Sequence, residues 1–233
     1  MNTSYVVLDL ETTGLDYKTE QITEIGAIKI DENFNEIDRF HTMVSLEEGR
    51  ELPEFITKLT GITAEDLIGQ PTEGAALADL AEFIGDSIVV AQNAPFDLSF
   101  ISRGGIEPKL FVCTRALVRY VEPELSASLK DVTARNGISL EGHHRALNDV
   151  EATIEVFKRY VEHASYYRII NRVLDEPSRP LRFVPRDAKV RKVAYVALDE
   201  WELAEITAAL PSQSVFHNRI MDVRRRMAKE EAQ

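Results

Sequence analysis

Tyr5-Val6-Val7-Leu8-Asp9-Leu10-Glu11-Thr12-Thr13-Gly14 is an apolar run that ends in two acids and a turn. Residues 5–8 read as a buried strand, and successive side chains on a strand point to opposite faces. Asp9 and Glu11 therefore share one face, while Leu10 enters the other layer. Two carboxylates held side by side repel unless a cation lies between them, and their hard oxygens suit magnesium or manganese. Taken alone, the pair also reads as the start of a turn, where acids and Thr-Gly pairs are common. A metal site needs further acids arriving from elsewhere in the chain.

Working outward, 22–30 reads as a second strand carrying Ile22, Ile25, Ala27, Ile28 and Ile30, and 35–45 as a third, with Asp31-Glu32-Asn33 supplying hairpin residues. Short helices are expected over 53–59 and 63–68, the second with Thr63 as N-cap. Leu77, Leu80, Ala81 and Ile84 recur at helical spacing over 73–84, and Gly85 stops that helix. The continuous apolar run 87–91 reads as a buried strand. It leads into Asn93-Ala94-Pro95-Phe96-Asp97, with Asn93 as N-cap and Asp97 near the start of a helix reaching about residue 103. A third acid thus falls at the C-terminal end of a strand, the edge where open α/β sheets bind ligands.

A strand over 110–113 and helices over 114–120 and 128–135 follow, the last closed by Asn136-Gly137. From residue 145 to 162, Leu147, Val150, Ile154, Phe157 and Val161 form one apolar stripe. Asp149 lies roughly 200° from Leu147 on the helical wheel, off that stripe and able to face a cleft. The order of elements closes a domain at about residue 163.

The chain has 233 residues, 44% hydrophobic and 28% charged, enough for one globular domain with a substantial extension. No apolar run is long enough to cross a bilayer and the N-terminus enters a strand directly, so the expectation is a soluble cytoplasmic protein without membrane partners. Cys113, the single cysteine, excludes an intrachain disulfide and a cysteine-based zinc cluster, and its apolar surroundings mark it as core. The formal charge of -12 is uneven: residues 164–233 hold 13 Lys+Arg and 10 Asp+Glu, and residues 1–163 the remaining 14 and 29. An acidic front half argues against broad phosphate-driven binding to duplex nucleic acid. It leaves open an enzyme whose metal ions offset both its own acids and a phosphodiester.

Asp9, Glu11, Asp97 and Asp149, with His144 five residues before the last, resemble the DnaQ-like 3′-5′ exonucleases of the DEDDh group, which includes bacterial DNA polymerase III epsilon-type proofreading exonucleases. Asp9-Leu10-Glu11-Thr12-Thr13-Gly14-Leu15 is similar to the first motif, Asn93-Ala94-Pro95-Phe96-Asp97 to the second, and His144-Arg145-Ala146-Leu147-Asn148-Asp149 to the third. Glu24-Ile25-Gly26-Ala27 and Leu59-Thr60-Gly61-Ile62 extend the similarity, which covers residues 4–163. The resemblance implies an α/β, RNase H-like mixed five-stranded sheet flanked by helices, followed by a mainly helical C-terminal extension over 164–233. It implies two Mg2+ or Mn2+ ions per site, held by Asp9, Glu11, Asp97 and Asp149, with His144 taking a proton from the attacking water. Imidazole suits that task because its ordinary pKa of about 6.5 leaves it mostly neutral near pH 7. His143 reads as a flanking loop residue.

The same resemblance implies that Thr12, Thr13, Gly14 and Leu15 meet the terminal nucleotide and its 3′-hydroxyl, while Thr60 and Ile62 border the last base. Unpaired bases on apolar side chains bind with little sequence preference. The implied substrate is the 3′ end of single-stranded or frayed DNA. RNA, as in the RNase T and oligoribonuclease branches, is the alternative, because the choice depends on groups near the ribose 2′ position. Many members carry His at the position of Gln92 and Asp at that of Cys113, departures outside the catalytic set.

In the extension, 163–174, 199–210 and 214–229 read as helices and 190–198 as a strand. The helix carrying Trp201, Leu203, Ile206 and Leu210 reads as a packed element, or as a docking face for a DNA polymerase or nuclease subunit. Arg179, Arg182, Arg186, Lys189, Arg191 and Lys192 form a basic stretch suited to guiding a nucleic-acid strand. The oligomeric state is left open.

Overall fold

A computed structural model describes residues 4–108, 111–122 and 124–160. The expected extension and the domain boundary near residue 163 lie outside the described residues. A five-stranded mixed sheet forms the centre, in the order β3-β2-β1-β4-β5. Its strands are β1 (Tyr5–Thr12), β2 (Ile22–Ile30), β3 (Glu36–Met43), β4 (Ile88–Ala91) and β5 (Phe111–Cys113). β1, β2 and β3 run antiparallel, whereas β4 and β5 run parallel to β1. The C-terminal ends of β1, β4 and β5 therefore share one edge. The predicted ribbon and buried strands are present as read.

The alternation along β1 sorts the core into two layers. Val6, Leu8 and Leu10 join Ile25, Ala27, Val89 and Ala91 against α2 (Glu73–Ile84) and α3 (Ala94–Ile101). Val7 joins Ile28, Ile30, Val90 and Val112 against α4 (Thr114–Val121), α5 (Leu129–Asn136) and α6 (Ala146–Tyr160). Cys113 is a buried member of the first layer, as expected. Phe157 of α6 anchors the second, with Tyr5 and Phe34 meeting it edge-on at 5.2 and 5.4 Å. Such edge contacts add about 0.5–1.5 kcal/mol to the area they bury.

Local chemistry explains the element ends. Thr72 caps α2 through the amide of Ala75, and Ser128 caps α5 through that of Asp131. Gly61 and Gly137 take left-handed conformations that close α1 (Glu54–Thr60) and α5. Two expectations are corrected. The segment 63–68 forms only a 3-10 turn over Glu65–Leu67, because Thr63 and Asp66 bond each other and Gly69 turns the chain at φ 73°. Asn93 precedes α3 at φ -169° without a capping side-chain bond, and α3 gives way at Ser102 to a 3-10 turn.

Candidate active site

Asp9 and Glu11 lie on the β1 face that α6 covers, as the alternation required. Asp149, in the first turn of α6, is delivered to them, and ligand oxygens of Asp9, Glu11 and Asp149 all lie within 4.8 Å of one another. Asp97, 3% exposed in the first turn of α3, accepts hydrogen bonds from its own amide and that of Leu10. Its charge is the largest acidic influence on Asp9 after burial. Three of the four expected acids thus bring their oxygens together at one sheet edge, and Asp97 acts on Asp9 from α3 without joining that group.

This is an electrostatically unfavourable assembly as it stands. Burial, then the charges of Asp97, Glu11, Asp149 and Glu24, push Asp9 well above the ordinary carboxylate range. Burial followed by Asp149, Glu24 and Asp97 pushes Glu11 up to about 8, opposed by the Arg145 guanidinium. Burial also raises Asp97 to about 8. Carboxylates gathered in this way bind either protons or a cation. Clustered hard oxygens match Mg2+ or Mn2+, so the donor set fits the ions expected.

α6 is brought this close by a missing side chain. A Cβ on Gly26 of β2 would stand 2.7 Å from the carbonyl carbon of Ala146 and 2.7 Å from the amide of Leu147. Only glycine lets the helix start lie on the strand there. His144, just before the helix, adopts φ 70° and donates its amide to Asp149 Oδ2 at 2.8 Å. Its ring stacks on His143 with centroids 3.8 Å apart. Burial, and then the nearby His143, lower its pKa against the opposing pull of Asp149, so the ring is neutral at pH 7.

The turn after β1 is braced from behind. Thr12 Oγ1 donates to the carbonyl of Gly14, and Thr13 Oγ1 donates to Glu20 Oε2 while accepting from the amide of Gln21. Gly14 leaves room for the Glu20 side chain, which a Cβ would meet at 2.9 Å. Arg103 holds the far end of the turn through the carbonyls of Tyr17 and Glu20 and a 2.9 Å pair with Glu73. Leu15 is exposed on this turn. Thr60 and Ile62 differ in kind: Ile62 is buried, and Thr60 Oγ1 is engaged by the carbonyl of Ile56 and the amide of Ile62.

Three residues were missed as parts of the site. His143 places Nδ1 2.5 Å from Asp149 Oδ1, and Arg145 pairs with Glu24 on β2. The available signal was Glu24 itself, an acid inside the apolar strand Ile22-Thr23-Glu24-Ile25, which requires a partner when buried.

A family model described as Exonuclease matches residues 6–157. The chain is 41% identical over 160 residues to the DNA polymerase III PolC-type of Clostridium perfringens, covering 66% of this chain but only 11% of that protein's length. It is 37% identical over 166 residues to the DNA polymerase III subunit epsilon of Aquifex aeolicus, covering 68% of this chain and 81% of that one. Its fold matches E. coli exonuclease I solved with a dT13 oligonucleotide, at TM-score 0.60 and 20% identity over 73% of this chain and 43% of the other. The matched pattern defines the class, an exonuclease domain. The chain belongs to the exonuclease family whose pattern spans residues 6–157.

Proposed function

We propose that this protein is a metal-dependent 3′-5′ exonuclease that shortens single-stranded or frayed DNA and releases nucleoside monophosphates. The observation that carries the reading is the convergence of Asp9, Glu11 and Asp149 within 4.8 Å, a carboxylate set whose mutual repulsion a bound cation would offset. Asp9, Glu11 and Asp149 would hold Mg2+ or Mn2+, with Asp97 completing the acidic wall. When bound, two such ions lower the pKa of a water and offset the charge that develops on the phosphodiester. His144, neutral at pH 7 and beside Asp149, takes the water's proton. The hydrogen bond from the His144 backbone amide to Asp149 Oδ2 fixes base and acid in one frame.

The 3′ terminus is held by the turn Thr12-Thr13-Gly14-Leu15, whose exposed Leu15 offers an apolar surface to a base. Thr60 and Ile62 act from beneath, by shaping the Gly61 turn beside which the exposed Leu59 lies. The catalytic unit ends near residue 163. DNA as substrate is supported by the naming of the relatives as DNA polymerase III proteins, which also favours a polymerase as partner of residues 164–233.

Matched 3′-labelled and 5′-labelled DNA and RNA oligonucleotides, incubated with Mg2+ or Mn2+, test polarity, sugar and metal together. A ladder shortening from the 3′ end of DNA is expected. EDTA abolishes it, and Asp9→Ala lowers kcat by at least about 10³-fold. Preferential RNA shortening would move the substrate to the ribonuclease branch, and absence of metal-dependent cleavage would overturn the reading.

A further inference from the structure

Glu24 is a buried carboxylate beside the cluster that the proposed chemistry does not use. In the β1-β2 ladder it stands directly opposite Glu11, where cross-strand side chains approach to about 5 Å and like charges destabilise the pair. A carboxylate so placed is either a further ligand or a brace, and its bonding separates the two. Its side chain is 1% exposed and both oxygens are occupied. Oε1 accepts from His41 Nε2 at 2.7 Å and from an Arg145 terminal nitrogen at 3.1 Å. Oε2 accepts from the amide of Ala146 at 3.1 Å and from Arg145 Nε at 3.3 Å. Glu24 is absent from the group of acids whose oxygens converge. Its bonds all lead instead to β3 and to the two residues that open α6.

Arg145 bears on both Asp149 and Glu11. Arg145 O accepts the amides of Asn148 and Asp149 at 2.9 and 3.1 Å, so the first turn of α6 is built directly on Arg145. The same guanidinium is the cation that opposes the upward push on Glu11. We infer that Glu24 is a positioning residue for the nuclease site, clamping Arg145 and Ala146 onto β2 so that Asp149 meets Asp9 and Glu11. Buried at 1% exposure, it acts through Arg145. The inference rests on the nuclease reading above, but its geometry is a property of this chain's own residues.

The test is Glu24→Gln, which keeps shape but removes the charge and sets an amide nitrogen against the donors of Arg145 and Ala146. Three quantities are read: kcat, KM for a 3′-labelled DNA oligonucleotide, and Mn2+ affinity of the substrate-free protein by electron paramagnetic resonance. Supporting partners of metal ligands typically contribute 10–100-fold. The expected result is a kcat lowered by about 30-fold, KM within about 2-fold of wild type, and Mn2+ affinity weakened by about 10-fold. Arg145→Met should give similar losses, and the double variant should be no worse than the single ones, since both break one unit. Arg145 is half-exposed, so the Arg145→Met arm stands even where Glu24→Gln fails to fold. Wild-type kcat and Mn2+ affinity with only a lowered Tm would reduce Glu24 to a stabilising residue and overturn the inference. Were the wild type to bind Mn2+ without cleaving DNA, the proposed reaction would fail while the Mn2+ arm still decided the role of Glu24. A wild type that binds no Mn2+ would overturn both.

Discussion

At the scale of single residues, two adjacent histidines divide between them the contacts to Asp149. His143 reaches one carboxylate oxygen through its ring, and His144 reaches the other through its backbone amide. The His144 ring is thereby left without a bond to that acid, and burial keeps it unprotonated. A non-glycine residue at φ 70° carries a conformational cost of order 1–3 kcal/mol, which the surrounding bonds must offset. These facts separate the roles. His144→Ala removes the proposed general base and should lower kcat by about 10²–10⁴-fold with little change in KM. His143→Ala removes one of two contacts to Asp149 and should lower kcat by less than about 10-fold. Steady-state kinetics on a single-stranded oligonucleotide would settle the assignment, and a larger loss in His143→Ala would reverse it.

At the scale of elements, the proposed site depends on how closely α6 lies against β2. Gly26→Ala places a methyl carbon 2.7 Å from backbone atoms of Ala146 and Leu147, which have no flexible side chain to give way. Overpacking of this kind costs about 1–3 kcal/mol, a Tm loss of roughly 2–4 °C for each kcal/mol. Because the displaced turn carries Asp149, activity should fall far more than stability, by at least about 10²-fold. A variant with lowered Tm and unchanged kcat would disconnect helix docking from the site. That docking was only half legible from the chain. The alternation along Tyr5 to Glu11 fixed which face the acids share, and the stripe from Leu147 to Phe157 fixed which side of α6 is apolar. Both signals are periodic, so they survive in one dimension. The clamp from Glu24 to Arg145 joins residues 121 positions apart, and no period encodes it. An acid inside an apolar strand signals that Glu24 needs a partner, but only the folded arrangement names Arg145. The region after Thr63 misled for the opposite reason, since the Thr63-Asp66 bond imitates the opening of a helix that Gly69 ends within a turn.

At the scale of the whole molecule, the acid cluster makes stability a function of pH and metal together. Glu11 and Asp97 have folded-state values near 8 against ordinary values of 4.5 and 3.8. Between those limits the folded protein binds more protons than the unfolded chain, so its stability falls as pH rises through that window. The contribution is fully present below the unfolded values and lost above about 8. Glu24 carries the opposite sign: burial pushes it up, but bonds from Arg145, His41 and the Ala146 amide hold it below the ordinary range. Its contribution is present above 4.5 and fades only as pH falls through its lowered folded value, outside the window in question. The metal-free protein should therefore lose about 5 °C or more in Tm between about pH 5 and pH 9. A divalent cation supplies at high pH what protons supply at low pH, and at about a hundredfold excess over Kd it adds ~2.7 kcal/mol. Mg2+ should accordingly raise Tm strongly near pH 9 and barely near pH 5, where protons compete for the same oxygens. Calorimetry with EDTA and with Mg2+ at the two pH values measures all four quantities. An equal Mg2+ effect at both would mean that the cation binds elsewhere, and a flat metal-free profile would mean that Glu11 and Asp97 are not held above their ordinary values.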